Sequence, residues 1–233
     1  MKKTTFSTAQ DCEAAFYEAL EACDLEAMME VWAEDEEVVC VHPGGPRLAG
    51  LQQVRVVGQL PSRGAVPSAR LLAGQLADSG TPAYVVDAPE LYQRAGGPYA
   101  DAQQRPFADN HLRFARLGWA AADLALGVDP GWAPDLVHAH DWHAALAPAC
   151  LKAAGARQPS VYTVHNLAYQ GDFEAACFAE LGLPRSFFAA DGMEFWGRLN
   201  FMKAGLYYAH RLTTVSPTYA AEIQTPEIGR AHV

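Results

Sequence analysis

A chain of 233 residues, half of them apolar and 19% charged, can bury a core as one large domain or two small ones, and its composition is not that of a disordered segment. The formal net charge of -10 argues against nucleic acid as a partner, and no apolar run approaches the roughly 18 residues of a membrane span. Five cysteines without a C-x-x-C pair point to reduced thiols in a cytoplasmic protein, not to a disulfide framework or a zinc site. Met1-Lys-Lys is followed by interrupted, acidic sequence instead of a continuous apolar segment, so secretion is not expected. The charge is uneven. Residues 1–54 hold three basic residues against eleven acids, whereas the remainder is close to balanced, so two regions of different character are joined.

In the first region, Ala15, Phe16, Ala19, Leu20 and Cys23 recur at helical spacing with Glu13, Glu18 and Glu21 turned away. Asp24 can cap a second helix over residues 25–32, whose Met28, Met29 and Trp32 face the same core. Residues 37–42 read as a strand, and Pro43-Gly-Gly-Pro46 as a turn. The segments Phe16–Leu20, Val31–Gly45 and Leu48-Ala-Gly50 resemble the opening of a SnoaL-like domain, so 1–54 is expected to be a partial α+β segment of that kind. His42 and Trp32 are either pocket residues of such a domain or a surface histidine and a core tryptophan. No activity is assigned to this region.

From about residue 55 to 226 apolar runs alternate with long helical patterns, the signature of a parallel sheet covered by helices. Strands are expected over 82–87, 136–140, 161–164 and 212–215. Helices are expected over 108–126, 144–154 and 199–209. Leu112, Ala115, Leu117, Trp119, Ala122 and Leu126 would form the inner side of the first helix. In a doubly wound sheet the ligand crevice lies beyond the carboxyl ends of the strands, and Asp141, His143, His165 and Asn166 all fall there.

Asp141 and His143 enter the first turn of a helix. A carboxylate there can hold a substrate hydroxyl or merely cap the helix, and the imidazole can donate to a sugar oxygen or phosphate. His138 and His140, two apart on a strand, share one side as metal ligands would. His-x-His-Asp-x-His resembles the metallo-β-lactamase-like signature with its last two elements transposed, which leaves a metal-dependent hydrolase as a weaker alternative. Lys203 is either a solvated lysine beside an apolar helix or a cleft-lining cation. Tyr207 and Tyr208 are expected in the core.

Taken together, Asp135–His143, Ser160–Gly171, Phe201–His210 and Thr213–Pro226, with Asp87–Tyr92 and Gly96–Tyr99, resemble the bacterial glycogen and starch synthases in order and spacing. The resemblance covers residues 56–226. It implies an α/β fold, the larger part of the amino-terminal Rossmann-like domain of a two-domain GT-B glycosyltransferase. It implies transfer of glucose from ADP-glucose to the non-reducing end of an α-1,4-glucan with retention, without a metal or other cofactor. By the same resemblance His165 and Asn166 lie beside the transferred glucose and Asp141 lines the catalytic cleft. Tyr99, Trp142 and His143 shape the sugar and acceptor region.

The family opens with a strand and a Lys-x-Gly-Gly-Leu turn that meets the donor phosphates; the lysines here are Lys2, Lys3, Lys152 and Lys203, and none sits in such a turn. It also continues past Pro226 into a second domain. The last seven residues, 227–233, match a translated sequencing adapter and are expected to be extraneous. The 233-residue chain is therefore expected to be inactive by itself. It could instead serve as a non-catalytic glucan-binding or interaction module, and an exposed cleft surface would favour self-association.

Overall fold

The computed structural model describes residues 51–76 and 79–225, together with Ala15. The helices and strand expected within residues 1–50, and the segment 227–233, lie outside the described residues. The first strand, β1 (Leu51–Leu60), runs across the boundary placed between residues 54 and 55.

Strands β1, β2 (Ala69–Leu76) and β3 (Pro82–Asp87) form an antiparallel meander, with β2 in the middle. Residues 82–87 do form a strand, but not in a parallel sheet. The amide of Gly80 donates to the Leu76 carbonyl at 2.8 Å and that of Leu76 to Thr81 at 2.9 Å, closing a tight turn. Strands joined by so short a connection can pair only antiparallel, because a parallel partner needs a crossover. Along β2, Ala69, Leu71 and Ala73 point inward, while Arg70 pairs outside with the facing Asp87.

After the short α1 (Pro89–Tyr92), the long α2 (Asn110–Ala125) carries the domain. One side of it, at Ala120 and Leu124, packs on Leu60, Ala69, Leu71 and Leu91 beneath the meander. The other, at Ala115, Trp119 and Ala122, enters the main core. The expected inner face is corrected at two positions: Leu117 is 40% and Leu126 53% exposed. Their place inside is taken by charge. Asp123 accepts from Arg116 Nη2 at 2.9 Å and from Arg63 Nη2 at 2.8 Å, with Arg116 fully buried. Gly118 lies against Leu146; a Cβ there would fall 2.9 Å from the leucine Cβ, so this position sets how closely α2 approaches the next helices.

Strands β4 (Val137–His140), β5 (Ser160–Val164) and β9 (Arg211–Thr214) form a parallel sheet in the order β4-β5-β9, as the alternating pattern requires. The expected helix 144–154 is divided into α3 (Asp141–Ala144) and α4 (Ala147–Ala154). Pro148 falls in the first turn of α4, where its missing N–H has no intrahelical partner to lose. Buried Tyr162 and Val164 of β5 join Ala139, Leu146, Cys150, Phe201 and Met202 in the core.

Between β5 and β9 a small antiparallel sheet of β6 (Asp172–Glu174), β7 (Glu194–Phe195) and β8 (Arg198–Asn200) precedes α5 (Phe201–Tyr208). The expected helix from residue 199 starts later because 198–200 pair with β6, and Asn200 caps α5 by accepting the Lys203 N–H at 2.8 Å. Lys203 is half-buried, and its ammonium donates to the carbonyls of Ala190, at 2.7 Å, and Glu194. Tyr207, expected in the core, is 52% exposed, because it follows the side of α5 opposite Phe201 and Met202. Tyr208 is half-buried, stacked on Phe187 at 4.6 Å between centroids. Helix α6 (Pro217–Glu222) follows β9, capped by Ser216. Among the described residues no helix is long and apolar enough to cross a membrane.

Candidate active site

The carboxyl ends of β4 and β5 lie side by side, with His140 opposite Thr163, so the residues that follow each strand emerge together. Along β4 the two-residue alternation sends Ala139 into the core and His138 and His140 outward. The two rings lie 4.1 Å apart between centroids, tilted by 34°. His138 Nε2 meets Thr163 Oγ1 at 2.6 Å, which in turn contacts Thr213 Oγ1 on β9, so one polar row crosses the sheet. His140 Nδ1 lies 2.9 Å from His165 Nε2 at the end of β5. This contact occupies one nitrogen of each ring, and the Thr163 contact occupies Nε2 of His138. The metal-ligand alternative thus meets imidazoles already engaged with one another and with a hydroxyl.

Asp141 is the turning point. Its φ of 53° lies in the left-handed region, which aspartate tolerates better than most residues and which marks a strained position. The consequence is that its carboxylate does not cap α3. Instead Oδ1 accepts the backbone N–H of His165 at 2.9 Å, tying the end of β4 to the end of β5. Asn166 next to it is exposed and turns its Oδ1 to the N–H of Ala168 at 2.8 Å, an Asx turn that shapes the loop. The Tyr219 hydroxyl of α6 accepts the Leu167 N–H at 3.1 Å and pins that loop from behind.

His143 and Trp142 occupy the first turn of α3, with ring centroids 4.4 Å apart. Phe114 of α2 meets Trp142 edge-on at 4.5 Å. Tyr99, from the loop between α1 and α2, lays its hydroxyl 2.7 Å from His143 Nε2. Gly171, at φ 64°, backs this floor: a Cβ there would come within 2.4 Å of Trp142 Cε3. Burial lowers the basicity of His143, against the opposing pull of Asp141. Burial, with help from Asp141 and Tyr169, raises the Tyr99 phenol. Burial also lowers His140, and its neighbours His138 and His165 add to the effect. The arrangement is an aromatic-floored shelf with one carboxylate and several hydrogen-bonding edges, suited to hydroxyl-bearing rings.

All six expected site residues, Asp141, His165, Tyr99, Trp142, His143 and Asn166, thus lie at this end of the sheet. His140, Tyr219 and Gly171 were not anticipated as parts of it. For His140 the signal existed, since alternation with Ala139 puts it on the same side as His138; Tyr219 carried none. Two surface hollows lie elsewhere, about 510 Å³ near Tyr84 and Trp132 and about 550 Å³ near Tyr207 and His210. The first lies on the antiparallel meander, and the second, although lined by Asp191, His210 and Tyr207, sits with Ser160 and His210 at the amino ends of β5 and β9, so the shelf at the carboxyl ends remains the candidate.

The family description "starch synthase catalytic domain" matches residues 33–233, a span that includes residues 33–54 and 227–233. A glycogen synthase of Leptothrix cholodnii is 56% identical over 202 residues, covering 83% of this chain and 42% of the relative. A glycogen synthase of Edwardsiella ictaluri is 61% identical over 148 residues, or 64% of this chain and 31% of the relative. The solved catalytic domain of Starch Synthase IV from Arabidopsis thaliana bound to ADP and acarbose superposes with a TM-score of 0.63 at 25% identity. That match covers 77% of this chain and 37% of the other. The chain spans less than half the length of the relatives it matches. With its parallel sheet and the shelf at the carboxyl ends of β4 and β5, this chain belongs to the starch synthase catalytic domain family.

Proposed function

We propose that the chain supplies the amino-terminal wall of a cleft in which glucose passes from ADP-glucose to the non-reducing end of an α-1,4-glucan with retention. In this reaction the bond from glucose C1 to the diphosphate breaks and ADP departs. A new bond forms from C1 to the acceptor 4-hydroxyl oxygen, whose proton goes to the departing phosphate on the same face. His165 and Asn166 border the transferred glucose, Asp141 orders that border, and Tyr99, Trp142 and His143 form the acceptor platform. The reading is supported above all by the Asp141–His165 contact, in which the carboxylate holds the His165 backbone N–H just beyond two parallel strands, at the point from which the His165 and Asn166 side chains emerge. The structural relative is itself bound to ADP and acarbose, which agrees with this reading. No resident metal or cofactor is invoked, and the protein is placed in the cytoplasm.

Because the chain accounts for 42% of its Leptothrix relative, the transfer itself is proposed for the whole enzyme. The 233-residue chain is expected to bind glucan without turnover, and to self-associate through the open shelf. Calorimetric titration with maltohexaose and with ADP-glucose tests this. Saturable maltohexaose binding that Trp142→Ala and His165→Ala weaken at least tenfold is expected. Binding untouched by both substitutions would overturn the assignment. Light scattering at rising concentration tests association, which a constant monomer mass would refute.

A further inference from the structure

Tyr99 reaches His143 from a stretch that burial does not hold: residues 93–99 are exposed throughout. What grips this stretch comes from beneath. The Tyr99 carbonyl accepts two donors, the Phe107 N–H at 3.0 Å and Asn110 Nδ2 at 2.8 Å. Asn110 Oδ1 in turn accepts Arg113 Nη1 at 2.6 Å. The same nitrogen donates to the Pro98 carbonyl at 2.7 Å, and Nε donates to the Leu91 carbonyl at 2.9 Å. Arg113 therefore gathers the start, middle and end of the loop at one guanidinium. Both side chains are buried, Asn110 at 7% and Arg113 at 6% exposure.

The charge makes this arrangement costly. Among the described residues no carboxylate lies within ion-pair distance of Arg113; the nearest acidic influence, Asp109, is held by Arg94. Arg113 is satisfied by neutral oxygens and by the faces of Phe107, at 4.7 Å, and Phe114, at 5.7 Å. A buried cation without a counter-ion costs several kcal/mol in general terms, and an apolar side chain would fill the space more cheaply. A planar fork is needed only if several oxygens must be fixed relative to one another. What they fix together is the backbone on either side of the Pro98–Tyr99 bond.

We propose that Arg113 and Asn110 are positioning residues that hold the Tyr99 phenol against His143 and so set the hydrogen-bonding state of that imidazole. The role rests on the reading that Tyr99 and His143 border the sugar site. Neither positioning residue touches substrate. The phenol, kept at 2.7 Å, engages Nε2 and leaves Nδ1 as the ring's other hydrogen-bonding edge. A loosened loop would free Nε2, and the ring would lose its fixed orientation.

The test is the titration of the His143 imidazole by NMR in the 233-residue chain, assigned with His143→Gln. Asn110→Asp keeps an oxygen toward Arg113 but removes the N–H that Tyr99 receives; Arg113→Lys keeps the charge but cannot reach three oxygens. Both are expected to move the His143 titration at least half as far as Tyr99→Phe does. The double variant Asn110→Asp/Tyr99→Phe should add nothing further, and His140 should titrate as in the parent. A lowered melting temperature with an unmoved His143 would overturn the proposal, leaving a purely structural pair. Should both variants fail to fold, hydrogen exchange in the parent decides: the Phe107 amide must be protected as well as those of α2, and fast exchange refutes the clamp. Maltohexaose titration separates the two claims. Weakened binding that accompanies the His143 shift supports both, whereas a His143 shift with unchanged binding keeps the positioning role and overturns the substrate reading.

Discussion

The carboxylate of Asp141 accepts the backbone N–H of His165 at 2.9 Å, so the ends of two neighbouring parallel strands are fastened by a side chain rather than by the ladder itself. The ladder between them ends at the His140–Thr163 pair, and Asp141 continues it by one step. Asp141→Asn retains an oxygen and should keep most of the stability. Asp141→Ala loses the acceptor and leaves a β-carbon at positive φ without local compensation. It is expected to cost about 1–3 kcal/mol in urea denaturation and to abolish measurable maltohexaose binding.

Gly171 cannot carry a side chain without displacing Trp142. Gly171→Ala is expected to destabilise by about 1–3 kcal/mol, because it combines a positive φ with overpacking. The indole should move as well, so the substitution is expected to shift the tryptophan fluorescence maximum and weaken glucan binding together. A stability loss with unchanged binding would show that Trp142 has no part in the platform.

Asp123 pairs with two arginines, Arg63 and Arg116. Asp123→Ala leaves Arg116 buried and uncompensated and should cost about 3–5 kcal/mol. The paired change Asp123→Leu/Arg116→Met should recover most of that loss, since an apolar pair of similar volume often matches a buried ion pair. Chemical denaturation of the three proteins measures both steps.

Stability should fall with pH below neutrality. Burial holds His140 and His143 below the ordinary histidine range, so the unfolded chain takes up protons near pH 6.5 before the folded one does. Stability is then complete above about pH 6.5 and is lost as pH falls towards the depressed folded values. The melting temperature is expected to drop between about pH 7 and pH 5, and His143→Gln should flatten that slope. His140→Gln should act less, because its ring is more open to water. A melting temperature that rises on acidification would contradict the assignment.

Much of the parallel sheet was legible in sequence. Short β-branched runs ending in polar residues located β4, β5 and β9 to within a residue or so at each end, and with them the positions of Asp141, His143, His165 and Asn166, whereas Tyr99 and Trp142 were expected only from the family resemblance. The direction of β3 was not, because direction depends on how the chain turns between 76 and 82, and β2 had not been recognised as its partner. Helix α2 misled at Leu117 and Leu126 because its buried side includes Arg113, Arg116 and Asp123, which a hydrophobic pattern counts as solvent-facing. Lys203 was unreadable for a similar reason. Its partners are two backbone carbonyls, of Ala190 in a loop and Glu194 at the start of β7, and carbonyls leave no mark in a sequence.

Gly118 and Phe114 stand one turn apart on α2, so what the first allows, the second delivers. With no side chain at 118, the helix settles onto Leu146, and Phe114 is carried to 4.5 Å from Trp142. The depth of the aromatic floor is therefore set by a contact on the far side of that floor from any ligand. Gly118→Ala would raise α2 as a lever lifts its load, and the floor would change height without any of its own residues being altered. The height of this floor can thus be altered from a buried helix crossing.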